Sequence, residues 1–199
     1  MQKLEDIWNE VIRRAETTDA LFCIFKKCGG KTQFIASNAS QLSGYNPNTD
    51  GFILSSFEDG ELKMIPNDFT FDLNSADDAA RFNSYLQNRK PVGANPCGCP
   101  SPYDSQNSEI SSTSPESYER SFDSVKKKLD SKEASKIVLS AKHSIPTDKS
   151  SFEIFTNIAS KDSYEFAYLL HLPNGETWIG NTPEILLQKN GVSYSTISL

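Results

Sequence analysis

Two ionisable residues stand at the edges of apolar runs, where a side chain can be made to do acid–base work. Lys136 directly precedes Ile137-Val138-Leu139, and Glu184 lies between the Thr182-Pro183 turn and Ile185-Leu186-Leu187. A lysine taken out of water loses its proton more readily and can serve as a base. A carboxyl in apolar surroundings keeps its proton and can serve as an acid. Strand-edge Lys and Glu are common, and periodicity by itself favours two solvent-exposed strand ends.

The other chemistry-bearing patterns are weaker. Gly30-Lys31-Thr32 matches the end of a phosphate-binding loop, but that pattern needs glycine where Phe25 stands and a helix where a strand is expected. Cys97-Gly98-Cys99 is a C-x-C pair with no second pair or nearby histidine to complete a tetrahedron, so no metal site is assigned. These two cysteines read as loop thiols, with a redox pair or half of an intermolecular metal site as the alternative. Lys126-Lys127-Lys128 reads as a solvated helix face. His143 and His171 have no nucleophile paired with them in the sequence and read as structural.

Around these residues the hydropathy pattern lays out alternating helices and strands. Leu4, Ile7, Trp8, Val11 and Ile12 recur at helical spacing and predict a helix ending near Thr17. Strands are expected over residues 20–27 and 33–36, around the Cys28-Gly29-Gly30 turn, and again over 51–57 and 62–65. A helix follows from Ser75 to Arg89, with Ala79, Phe82 and Leu86 turned inward. From Lys90 to Pro115 the chain is rich in Pro, Gly, Ser and Asn, as in a surface loop or linker. The expected division is therefore 1–90, a variable α+β part; 91–114, the linker; and 115–199.

The last segment opens on Ser114-Pro115, a capping serine before a first-turn proline, and Tyr118, Phe122, Val125 and Leu129 then line one helix face. Lys136 to Ser140 is expected as a short buried strand. Ser150 and Glu153 have capping-box spacing ahead of Phe152, Phe155 and Ile158. Two hairpins close the chain: one around Pro173-Asn174-Gly175, the other around Asn190-Gly191. Leu199 stops the chain inside the last strand, which reads as part of something longer.

Composition narrows the function. With 199 residues and a net charge of −6, the chain lacks the basic surface that gripping nucleic acid requires. No apolar run is long enough to span a bilayer, and the polar start is not a secretory signal. The expectation is a soluble, cytoplasmic protein with a small-molecule substrate, no nucleic-acid or membrane partner, and an oligomeric state left open.

Lys136-Ile137-Val138-Leu139-Ser140, followed by a helix, an apolar hairpin and Trp178-Ile179-Gly180-Asn181-Thr182-Pro183-Glu184-Ile185-Leu186-Leu187, resembles the chorismate-binding enzymes. The ending Tyr194-Ser195-Thr196-Ile197-Ser198-Leu199 is similar to the strand that leads into the active site of that family. The specific resemblance covers about 114–199. It implies an α+β fold of antiparallel sheets with helices on their outer faces, incomplete in this chain. It also implies chorismate as substrate and one magnesium ion, whose ligands lie beyond residue 199 in the family.

Members that add water carry lysine before the apolar strand, whereas the aminating members usually carry glutamine, so Lys136 places the resemblance with the water-using branch. The implied activity is isochorismate synthase, for menaquinone or a catecholate siderophore. Lys136 would activate water and Glu184 would protonate the departing hydroxyl. The alternatives are salicylate synthase and a non-catalytic truncated paralogue acting as a binding module. Ala141-Lys142 departs from the arginine that many relatives have after this strand, so any role for that arginine is not carried over.

Overall fold

A computed structural model of the chain describes residues 3–55, 60–92, 112–161, 166–182 and 188–195. The chain forms two compact units: residues 1–99 with 149–199, and residues 100–148.

The first unit begins with α1 (Leu4–Ala15), with Glu5 and Asp6 in its first turn and Arg13 and Arg14 in its last. These charges oppose the helix dipole at both ends. The strands β1 (Leu21–Lys27), β2 (Gln33–Ser37), β3 (Ser43–Gly44), β4 (Gly51–Ser55), β5 (Leu62–Pro66) and β6 (Phe69–Phe71) follow. Next comes α2 (Ala76–Leu86), where Ser75 accepts a hydrogen bond from the Asp78 amide.

In the second unit, α3 (Pro115–Asp130) is capped by Ser114. The chain then returns to the first unit with α4 (Ser151–Ala159), β7 (Phe166–His171), β8 (Thr177–Thr182), β9 (Gln188–Asn190) and β10 (Ser193–Ser195). The β9–β10 and β7–β8 hairpins fall where the two glycine turns predict them.

A five-stranded sheet, ordered β6-β2-β1-β7-β8, organises the first unit. β1 lies at its centre, antiparallel to β2 on one side and to β7 on the other. β7 and β8 thus share a sheet with β1, β2 and β6, and the composition break at 91–114 is not a boundary of this sheet.

Leu21 to Ile24 are all buried, as a strand covered on both faces must be. Phe22 and Ile24 face α1, α2 and α4 and pack with Trp8, Ile12, Phe82, Phe152 and Phe155. Leu21 and Cys23 face the other way and pack with Ile65 of the three-stranded β3-β5-β4 sheet. Every strand pair among the described residues is antiparallel, which agrees with the expected α+β class. Helices cover one face of the main sheet, and the small sheet covers the other.

The second unit departs from expectation in two places. No strand forms at Lys136–Ser140; the segment lies outside any regular element, and Val138 is 81% exposed. A buried strand needs hydrogen-bonded neighbours on its edges, and no described strand pairs with this one. α3 forms where its cap and first-turn proline predict it, yet it buries no residue, and Tyr118, Phe122 and Leu129 are exposed.

Candidate functional site

The Trp178–Thr182 part of the family-like motif lies on β8, the outer strand of the main sheet. The Pro173-Asn174-Gly175 turn, with Gly175 at φ 86°, sets the register Leu170↔Trp178, Tyr168↔Gly180 and Phe166↔Thr182. Paired residues share a face, so Tyr168 lies across Gly180. A Cβ at position 180 would meet the far end of the Tyr168 ring at 2.6 Å, so a side chain there would have to displace the tyrosine. Trp178, on the same face, is 56% exposed, and its indole Nε1 reaches Glu176 at 3.5 Å. Glu184 lies outside the described residues, as do Pro183, Ile185 and Leu186, and so do Cys97 and Cys99.

Lys136 is described. It sits exposed in the irregular stretch after α3 and makes no hydrogen bond or ion pair with a described residue. Further along, this stretch runs beside residues 112–114. The Thr113 amide donates to the Lys142 carbonyl at 2.7 Å, the Lys142 amide donates to Thr113 Oγ1 at 2.9 Å, and the Ser144 amide donates to Ser112 Oγ at 2.9 Å. A cavity of about 770 Å³ lies between the start of α3 (Ser114, Tyr118) and Leu139, Ala141 and His143. Lys136 is not among its lining residues. No group of three or more His, Cys, Asp or Glu converges to hold a metal among the described residues.

Sequence reading missed one constellation, in the first unit. His171 is fully buried and stacked on Phe22 at 5.1 Å. Its Nδ1 meets Thr177 Oγ1 at 2.9 Å and its Nε2 meets the Thr18 carbonyl oxygen at 3.1 Å. Burial lowers its pKa from 6.5 to about 4, with the Thr18 carbonyl pulling weakly the other way. Nearby, Ser151 Oγ donates to the Glu16 carboxyl. Desolvation raises the Glu16 pKa above its ordinary 4.5, against the Ser151 hydrogen bond and the Arg13 charge. The hairpin turn makes the His171–Thr177 pairing readable, because it sets the two residues opposite each other. Glu16 and Ser151 reach the same corner only through tertiary packing.

Comparison with protein-family models matches residues 28–197 to the chorismate binding enzyme family. The matched span takes in β2 to β10, α2, α3, α4 and the positions of Lys136 and Glu184, and begins just after β1. The chain belongs to the chorismate-binding enzymes. No curated protein and no solved structure matches it. No helix among the described residues is long and apolar enough to cross a membrane.

Proposed function

We propose that the chain is the N-terminal part of an isochorismate synthase, which adds water at C2 of chorismate and expels the C4 hydroxyl. The observation that carries this reading is a single residue type: lysine, not glutamine, precedes Ile137-Val138-Leu139 in a chain of this family. Ammonia is already a competent nucleophile, whereas water needs a base, and neutral Lys136 is the group proposed to take its proton. Glu184, protonated, gives its proton to the departing hydroxyl as the ring double bonds shift. One water enters, one leaves, and the two protons balance.

Magnesium, when bound, would hold the substrate carboxylate and draw electron density from the ring. The described residues offer no cluster to hold it, and no step is derived through it. Its ligands are proposed to lie beyond residue 199. A base must also be desolvated, and Lys136 is exposed here, so the reading requires this stretch to be covered when substrate is bound.

The test is turnover of chorismate with magnesium by the full-length protein. Lys136→Ala should lower it by about 10²–10⁴-fold, the usual contribution of a positioned base. Glu184→Gln should lose turnover and still bind chorismate. Activity within about tenfold of wild type in Lys136→Ala would remove Lys136 as the base, whereas chorismate binding that depends on neither Lys136 nor Glu184 would favour a binding module.

A further inference from the structure

β8 carries the Trp178–Thr182 part of the motif on the outer edge of the main sheet, and among the described residues it pairs on one side, with β7. Ile179 packs against the core, whereas Thr177, where the strand begins, is held by a polar contact. Its cross-strand partner His171 is fully buried and meets two segments at once. Nδ1 lies 2.9 Å from Thr177 Oγ1, and Nε2 lies 3.1 Å from the Thr18 carbonyl oxygen.

The Thr18 end of this bridge is fixed in place. Thr18 Oγ1 donates to the Ala15 carbonyl at 2.8 Å and accepts from the Ala20 amide at 3.3 Å. On either side, the Val92 amide donates to the Thr17 carbonyl at 3.0 Å and the Asp19 amide donates to the Lys90 carbonyl at 2.8 Å. The turn after α1 is thus bound to residues 90–92 by backbone hydrogen bonds, and the imidazole reaches from that turn to the hairpin.

The hydrogens on the ring follow from its partners. A carbonyl only accepts, so Nε2 carries a hydrogen. The ring is stacked on Phe22 at 5.1 Å with no exposure to water, and no carboxylate among the described residues is ion-paired with it. A second proton would bury an uncompensated charge. In the neutral ring Nδ1 offers a lone pair, and the Thr177 hydroxyl donates to it.

We propose that His171 is the anchor of β8: as the neutral Nε2–H tautomer it donates to Thr18, accepts from Thr177, and so ties the first residue of this edge strand to the turn after α1. Charged groups stand at its margins on each neighbouring segment. Glu16 and Asp19 flank Thr18, Glu176 precedes Thr177, and Lys90 and Lys149 are exposed. Burial carries the His171 pKa down to about 4, in keeping with a neutral ring.

The anchor is read on the 199-residue chain by nitrogen NMR of the imidazole and by amide hydrogen exchange, neither of which depends on turnover. The expected result is a neutral His171 protonated on Nε2, with no titration between about pH 8 and about pH 5.5. His171→Phe keeps a buried ring and loses both hydrogen bonds, so the β8 amides should exchange about tenfold faster, with a smaller change in β1 and β2. Thr177→Val should keep the Nε2–H tautomer, which Thr18 sets, and should also speed exchange in β8. Thr177→Ser should restore it.

An Nδ1–H tautomer, a ring that titrates near its ordinary 6.5, or unchanged β8 exchange in Thr177→Val would overturn the proposal. Should His171→Phe fail to fold, the wild-type spectra and the two Thr177 variants decide alone.

Discussion

Helices α3 and α4 use the same sequence devices and end in opposite surroundings. Each begins with a serine whose hydroxyl accepts from a first-turn amide, and each carries aromatic residues at helical spacing. α4 buries Phe152, Phe155 and Ala159, whereas α3 buries nothing and leaves Phe122 53% exposed. The difference lies in the partner. In the first unit the main sheet presents Phe22, Ile24, Phe34 and Leu169 to the helices. In the second, Val138 and Ile145 are themselves 81% exposed. Amphipathic spacing states which face a helix must bury, and tertiary structure decides whether anything meets it.

The sharpest way to break this contrast is to delete a ring from each unit. Phe82 meets Phe34 at 4.7 Å, Phe71 at 5.1 Å, Tyr85 at 5.4 Å, Phe22 at 5.5 Å and Trp8 at 6.3 Å. Phe82→Ala should therefore cost about 3–5 kcal/mol in urea unfolding, the usual range for a buried phenylalanine. Phe122→Ala should stay within about 0.5 kcal/mol, as exposed positions do. A comparable loss from both would mean that the apolar face of α3 is covered in solution.

A smaller effect isolates one buried group in the first unit. With Glu16 replaced by glutamine, the opposing slope of the carboxyl is gone and that of His171 stands bare. The histidine pKa falls from 6.5 to about 4 on folding, so between those values the unfolded chain binds a proton that the folded chain refuses. Stability is then fully present above pH 6.5 and is lost as the pH falls toward 4, by about 3 kcal/mol in all at 1.36 kcal/mol per unit. In the wild type the raised Glu16 carboxyl contributes stability below its ordinary 4.5 and loses it as pH rises, which flattens the profile. Urea unfolding across this range checks both slopes. A flat profile in Glu16→Gln would show that His171 titrates normally.

The same contrast explains what could be read from sequence. The hairpin turns, the capping box and the inward faces of α1, α2 and α4 are local signals, and each is met by a partner the fold supplies. Lys136–Ser140 carries an equally clear apolar signal, but a strand is a property of two chains of hydrogen bonds, and only one is present there among the described residues. The Lys136 and Glu184 pairing rests on the family motif and not on periodicity, which favours exposed strand ends. The Ser151–Glu16 hydrogen bond was invisible in the sequence because it joins residues 135 positions apart. Gly180, by contrast, has a reason that register supplies directly: the Tyr168 ring occupies the place of its side chain.

The two serine caps give the smallest and most direct comparison. Ser150 Oγ accepts from the Glu153 amide at 3.0 Å while the Glu153 carboxylate accepts from the Ser150 amide at 3.0 Å. Its hydroxyl also donates to Asn9 on α1 at 2.7 Å, so this cap ties two helices together. Ser150→Ala should cost about 1 kcal/mol of global stability, as cap deletions do, and should do so in urea unfolding followed by any probe of the first unit. Ser114 accepts from the Ser117 amide at 3.1 Å, with the residues around it exposed. Ser114→Ala should instead speed hydrogen exchange in the first turn of α3 and leave the first unit unchanged, because a helix without a buried face passes little of its stability to the rest. Equal global losses from the two substitutions would show that α3 is coupled to the unfolding of the main sheet.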